Sequence, residues 1–113
     1  MEYSEIIEAN KMIAEFMGFK KTEKETGEPT YTHSSMEKGT VIWAGQFSYH
    51  NNWNTLMAVI AKIEAMDYGV YISTNAAYLS DKKGEVIVHC NNFENKLQTV
   101  YEAVVSFVNY HNS

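Results

Sequence analysis

Hydrophobic residues recur along this chain with two different spacings, and these spacings predict its secondary structure. Spacings of three and four residues predict helices at about 4–17, 52–66 and 95–110, each with one apolar face. A spacing of two predicts strands at about 31–36, 40–47, 70–74 and 85–90. The order α-β-β-α-β-β-α indicates an α+β fold, in which amphipathic helices pack on one four-stranded, largely antiparallel sheet.

The second predicted helix follows a short polar and aromatic stretch, Tyr49-His50-Asn51-Asn52. Asn51 or Asn52 is suited to accept a hydrogen bond from a free backbone N–H at the helix start. Gly69 is suited to the turn that ends the helix. The apolar face of this helix is predicted to contain Trp53, Leu56, Met57, Ile60 and Ile63. Trp53 is predicted to be the core anchor and to face the same core as Trp43 or Phe47.

The same spacings predict which other side chains face the core. On the first helix, the predicted core face comprises Ile6, Ala9, Ile13, Phe16 and Met17, with Ala14 off that face. On the strands, the predicted core positions are Val41, Trp43, Gly45, Phe47 and Tyr49, then Val70 with Ile72 and Val86 with Val88. The opposite sheet face, with Ile42, Ala44, Tyr71 and Ile87, is predicted either to be covered by a helix or to associate with a second copy as a homodimer.

Length and composition predict one soluble, cytoplasmic domain spanning residues 1–113. No apolar run approaches the roughly 20 residues that cross a bilayer, so we predict no membrane partner. The acidic start of the chain lacks the basic segment of a secretion signal. Cys90 is the only cysteine and cannot form an internal disulfide, which agrees with a reducing compartment.

The charge of the chain argues against nucleic-acid binding. All nine positive residues are lysine, and the formal net charge is −5. Proteins that bind nucleic acids normally use basic patches and arginine side chains that hold phosphate or guanine through two hydrogen bonds. We therefore predict no nucleic-acid partner.

The sequence contains few signs of catalytic or metal chemistry. The four histidines, His33, His50, His89 and His111, are spread over different predicted elements. His89 and Cys90 are neighbours on one strand and point to opposite faces, so they cannot chelate one ion together. We predict no cofactor and no metal site, and we interpret Cys90 as a buried structural thiol. An enzyme that uses His50 as an acid or base is the least favoured function.

Three blocks of the sequence resemble a protein family. They are residues 10–18, the motif Tyr49-His50-x-x-Trp53-x-x-Leu56-Met57, and residues 100–107. The chain resembles a family of small uncharacterised proteins from Bacteroides-type gut bacteria and their phages, and more distantly phage proteins described as an α-β-α sandwich domain. The family has aspartate, tryptophan and proline where this chain has Asn54, Thr55 and Ala58. The resemblance implies a fold and a mobile-element context but no reaction.

These observations favour a non-enzymatic binding or interaction module, such as an accessory protein of a phage or mobile element. The alternative is a protein that binds or sequesters a small ligand such as a nucleotide. The predicted ligand- or partner-binding residues are Tyr49, His50, Asn51, Trp53 and Trp43. The geometric reason is that a helix N-terminus presents unpaired N–H groups and a partial positive charge, which bind an anion or a carbonyl.

Overall fold

The chain forms two compact units, one ending at Ser48 and the other beginning at Tyr49. A computed structural model describes residues 2–22, 29–91 and 95–113. The predicted α+β class is confirmed. The single four-stranded sheet and the predicted element order are wrong, because the described residues form two antiparallel sheets of three strands each. The single-domain organisation stays a prediction.

The first unit combines one long helix with a small sheet. Its elements are α1 (Tyr3–Phe16), β1 (Lys20–Lys21), β2 (Thr30–Thr32), β3 (Ile42–Trp43) and a 3-10 helix (Ala44–Gln46). The strands lie in the order β1-β2-β3 and all pair antiparallel. Around the buried Phe47, the rings of Phe19 and Tyr31 pack edge-on at 5.2 and 5.4 Å between ring centroids.

Helix α1 buries Ala9 and Ile13 as predicted, but the rest of its buried face differs from the prediction. Its buried residues are Ala9, Asn10, Ile13 and Ala14. Ile6, Phe16 and Met17 are only partly buried, so the predicted face is wrong at both of its ends. Asn10 lies in the core because its side-chain amide donates a hydrogen bond to the Phe47 carbonyl at 3.1 Å. The spacing of apolar residues does not predict a buried polar side chain that is hydrogen-bonded.

The predicted strand at residues 40–47 is shortened to two residues by a helical turn. The backbone N–H of Trp43 donates to Gln46 Oε1 at 2.8 Å, and this bond closes the turn that starts the 3-10 helix. The alternation of faces therefore stops at Trp43. Val41 and Trp43 are exposed rather than buried, while Ala44, predicted to face away from the core, is buried.

The second unit contains two helices and the larger sheet. Its elements are α2 (Trp53–Ala65), β4 (Gly69–Ile72), β5 (Ala76–Ser80), β6 (Val86–Asn91) and α3 (Lys96–Asn112). The strands lie in the order β4-β5-β6. Helix α3 contacts β5, β6 and α2, so it covers the sheet face that carries the buried Ala77, Leu79 and Val88.

The central strand β5 lies between the predicted strands at 70–74 and 85–90, in a segment where the spacing predicts no strand. It pairs with β4 on one side and β6 on the other, and its pairing with β6 has a bulge at Leu79 and Ser80. A bulge inserts an extra residue and locally breaks the alternation of faces. For this reason Val88 is buried as predicted, whereas Val86 is exposed.

The ends of the helices in this unit are set by short polar contacts. Asn52 and Asn95 cap α2 and α3 by accepting hydrogen bonds from the backbone N–H groups of Thr55 and Gln98. The predicted role of Gly69 in ending α2 is wrong. Asp67, with φ of 69°, adopts the left-handed conformation after the helix.

Candidate functional site

The predicted corner at the start of α2 is a capped helix terminus. Asn52 Oδ1 accepts the Thr55 N–H at 3.2 Å, as expected for an N-cap residue. Asn51 is exposed beside it. The corner therefore presents Asn51 to solvent while Asn52 satisfies one of the free donors of the helix.

Tyr49 is buried, whereas His50 is only partly buried. The His50 ring packs edge-on against Tyr101 of α3, with ring centroids 6.2 Å apart, and burial lowers the pKa of His50. Tyr49 is buried, and burial raises its pKa to about 12. Burial also raises the pKa of Tyr101. The position of Tyr101 in the apolar stripe of α3 indicates only core packing, so the sequence gives no reason to place it in the site.

Trp53 is not the buried anchor that the pattern predicts. It is 39% exposed, and Met57 is 40% exposed. The buried residues of α2 are Leu56, Val59, Ile60 and Ile63. At 100° per residue, Trp53 lies about 70° and Met57 about 110° from the centre of that stripe, so both lie at or beyond its edge.

Trp43 belongs to the first unit, where it lines an open surface depression of about 450 Å³ with Tyr3, Gly45 and Gln46. Trp43 is 41% exposed. Two aromatic side chains and the polar Gln46 therefore border one concave surface. The other four predicted site residues belong to the second unit.

A surface that the sequence analysis did not assign to the site lies on the sheet of the second unit. Tyr71, Tyr78 and His89 are direct neighbours on β4, β5 and β6, on the side opposite the residues under α3. The Tyr71 and Tyr78 rings stack at 4.8 Å with an interplanar angle of 17°, and His89 packs edge-on against Tyr78. We define the open face as the side of this sheet that carries Gly69, Tyr71, Ala76, Tyr78, Ser80, His89 and Asn91.

Gly69 lets the Tyr71 ring lie close to the sheet. A Cβ at Gly69 would be 2.6 Å from Ser80 Oγ and 3.0 Å from Tyr71 Cε2. Ser80, the partner of Gly69 across the strands, is consequently buried although it is polar. The glycine therefore has a packing role in the strand, with Tyr71 covering the place where its side chain would be.

The other side chains that could bind a metal or react do not form one cluster among the described residues. Within residues 2–22, 29–91 and 95–113, no group of three or more His, Cys, Asp or Glu side chains is arranged to hold a metal ion. Cys90 is half-buried, and burial raises the pKa of its thiol although a hydrogen bond with Ser106 opposes this. No helix in the described part of the chain has the length and apolarity needed to cross a membrane.

We expect His50 to make the stability of the protein depend on pH near neutrality. Because burial lowers its pKa in the folded chain below the ordinary value of 6.5, the unfolded chain takes up the proton first as pH falls. Above pH 6.5 the stabilisation linked to neutral His50 is fully present. Below pH 6.5 it is lost, and the free energy of unfolding falls. His50→Gln should therefore lose less free energy of unfolding than the wild type between about pH 7.5 and pH 5, measured by urea unfolding. His111→Gln controls for removal of a histidine, and parallel losses in wild type and His50→Gln would contradict the expectation.

Comparison of the chain with protein-family models, curated proteins and solved structures finds no match.

Proposed function

We propose that this protein is an interaction module that binds a partner protein through the open face of its second sheet. The observation that carries the proposal is the exposed row of Tyr71, Tyr78 and His89, in which Tyr71 is 51% exposed. The resemblance of the 49–57 motif supports the further proposal that it serves a phage or mobile element.

The chemistry of the open face suits a protein partner. Tyrosine is enriched among the residues that dominate binding energy at protein interfaces, and charged residues are depleted at interface centres. The open face contains two tyrosines and no Asp, Glu, Lys or Arg. With a net charge of −5 and no arginine in the chain, this surface lacks the cations that hold a phosphate backbone.

The size of the open face bears on the homodimer predicted from the sequence. Three strands and five residues span roughly 14 Å by 17 Å, or about 240 Å² on each copy. A stable complex buries about 800 Å² on each partner. The open face alone is therefore too small to hold a stable complex with either a second copy or another protein, and we propose that it is the aromatic centre of a wider interface.

The proposal is tested by photo-cross-linking in the cells that encode the protein, followed by identification of the captured proteins. Tyr71→Ser should lose a partner that the wild type captures. Tyr110→Ser is the matched control, because Tyr110 is similarly exposed, at 48%, but lies on α3. A partner captured equally by both variants would remove the open face from the interface.

The depression beside Trp43 favours a second candidate function, the binding of a small planar ligand such as a nucleotide base. Trp43 and Tyr3 supply aromatic surface there, and Gln46 supplies a polar side chain. A ligand that binds only the folded state raises the melting temperature. We expect Trp43→Ala to abolish such a shift in a nucleotide screen, whereas Trp53→Ala, which removes an equally exposed tryptophan, should retain it. Equal shifts in both variants would place the ligand elsewhere.

A further inference from the structure

A serine and a histidine in the first unit form a hydrogen-bonded pair. His33 Nε2 lies 3.0 Å from the Met17 carbonyl oxygen, which can only accept a hydrogen bond, so Nε2 carries the proton. His33 Nδ1 is then an acceptor. It receives hydrogen bonds from the Ser35 hydroxyl at 2.7 Å and from the Ser35 backbone N–H at 3.0 Å. The Ser35 hydroxyl therefore points at a neutral imidazole nitrogen that is able to accept its proton.

The imidazole is held in this orientation by its surroundings. Gly18 has φ of +95°, and a Cβ there would be 3.2 Å from His33 Nε2, so the glycine allows the ring to reach Met17. The Phe19 ring packs against the imidazole at 4.8 Å between ring centroids. Met17 is the C-cap residue of α1, so a carbonyl at the end of that helix fixes the orientation of the His33 ring.

We propose that Ser35 is a nucleophile, with His33 as its general base, that accepts the acyl group of an activated ester. The arrangement contains a nucleophile, a base within hydrogen-bond reach and a third group that orients the base. Ser35 is exposed, so an acyl donor reaches it from solvent. This activity goes beyond the binding function proposed above and is independent of the open face.

The acyl transfer is balanced without a cofactor. Ser35 Oγ attacks the ester carbonyl carbon while its proton moves to His33 Nδ1. The bond from Oγ to carbon forms, the bond from carbon to the leaving oxygen breaks, and the leaving group departs as an alkoxide or phenolate. The imidazolium then returns its proton to the leaving group or to water. The product is an ester on Ser35, which water can later hydrolyse.

The neighbouring Ser34 is an internal control, because it is also exposed but has no such bond to the imidazole among the described contacts. General-base assistance accelerates a reaction by about 10²–10⁴-fold. With p-nitrophenyl acetate as the acyl donor, we expect Ser35 to be acetylated at least about 100-fold faster than Ser34. Peptide mass spectrometry separates these sites from lysine acetylation, and release of p-nitrophenolate reports turnover if the ester hydrolyses quickly.

Two variants make the test decisive. Ser35→Ala should remove the fast acetylation and the turnover. His33→Asn should lower the rate to that of Ser34 and keep the fold, because an asparagine side chain accepts the N–H of the second residue after it but is not basic. The unfolding midpoint of His33→Asn is measured in parallel to check that this variant keeps the fold. Equal acetylation of Ser34 and Ser35, or a His33→Asn variant as fast as the wild type, would overturn the proposal.

Discussion

Replacing Leu56 by alanine is expected to destabilise the protein by about 2–5 kcal/mol, whereas replacing Trp53 should cost about 1 kcal/mol or less. Leu56 is fully buried on α2, and its truncation both loses burial and leaves a cavity. Trp53 lies at the edge of the buried stripe and keeps 39% of its surface exposed. The small loss at Trp53 differs from the apolar pattern, which predicts both residues to be buried and Trp53 to be the core anchor.

Urea unfolding of the two α2 variants measures this difference directly. Both substitutions place alanine in a helix, so helix propensity adds only a small difference between the two variants. A loss at Trp53 equal to or larger than the loss at Leu56 would show that the tryptophan is an anchor of the core after all.

Replacing Asn10 by alanine is expected to cost about 2–4 kcal/mol, which is large for a polar residue on a helix. Asn10 is completely buried, and its amide donates to the Phe47 carbonyl at 3.1 Å. The substitution removes this donor and leaves a small cavity beside Ile13 and Ala14, which are buried on the same helix.

Two further variants separate the causes of the Asn10 effect. Asn10→Leu keeps the branched shape of the side chain but removes the donor and adds volume, so we expect it to remain destabilising. Asn54→Ala removes an exposed asparagine from α2 and should change the free energy of unfolding by less than about 0.5 kcal/mol. A loss below 1 kcal/mol for Asn10→Ala would mean that the bond to Phe47 contributes little.

The helices could be predicted from the sequence better than the sheets, because the signals that define a helix are local. Asn52 and Asn95 are polar caps immediately before apolar stripes, and both helices begin within one residue of the predicted starts at about 52 and 95. Strand β5 depends instead on pairing with both β4 and β6, which its own five residues do not reveal, and its two alanines have low strand propensity. The short β3 ends because Gln46 bonds back to Trp43, a contact that an alternating pattern does not predict.

The residues of the candidate site could likewise be predicted only where they are close together in the sequence. Tyr49, His50 and Asn51 are consecutive, so the corner before α2 could be found from the sequence. Tyr71, Tyr78 and His89 lie on three strands, and only the register of those strands places them in one row. The bulge at Leu79 and Ser80 shifts this register, so even correct strand assignments would not have given the row by counting residues.

The affinity of the captured partner for Tyr71→Ser tests the central claim most directly. Truncation of a central aromatic residue typically costs more than about 1 kcal/mol of binding energy, so we predict a dissociation constant about tenfold weaker than that of the wild type. Tyr110→Ser, measured in the same titration, should remain within about twofold of the wild type. A Tyr71→Ser variant that binds as tightly as the wild type, or a larger loss at Tyr110, would contradict an interface centred on the open face.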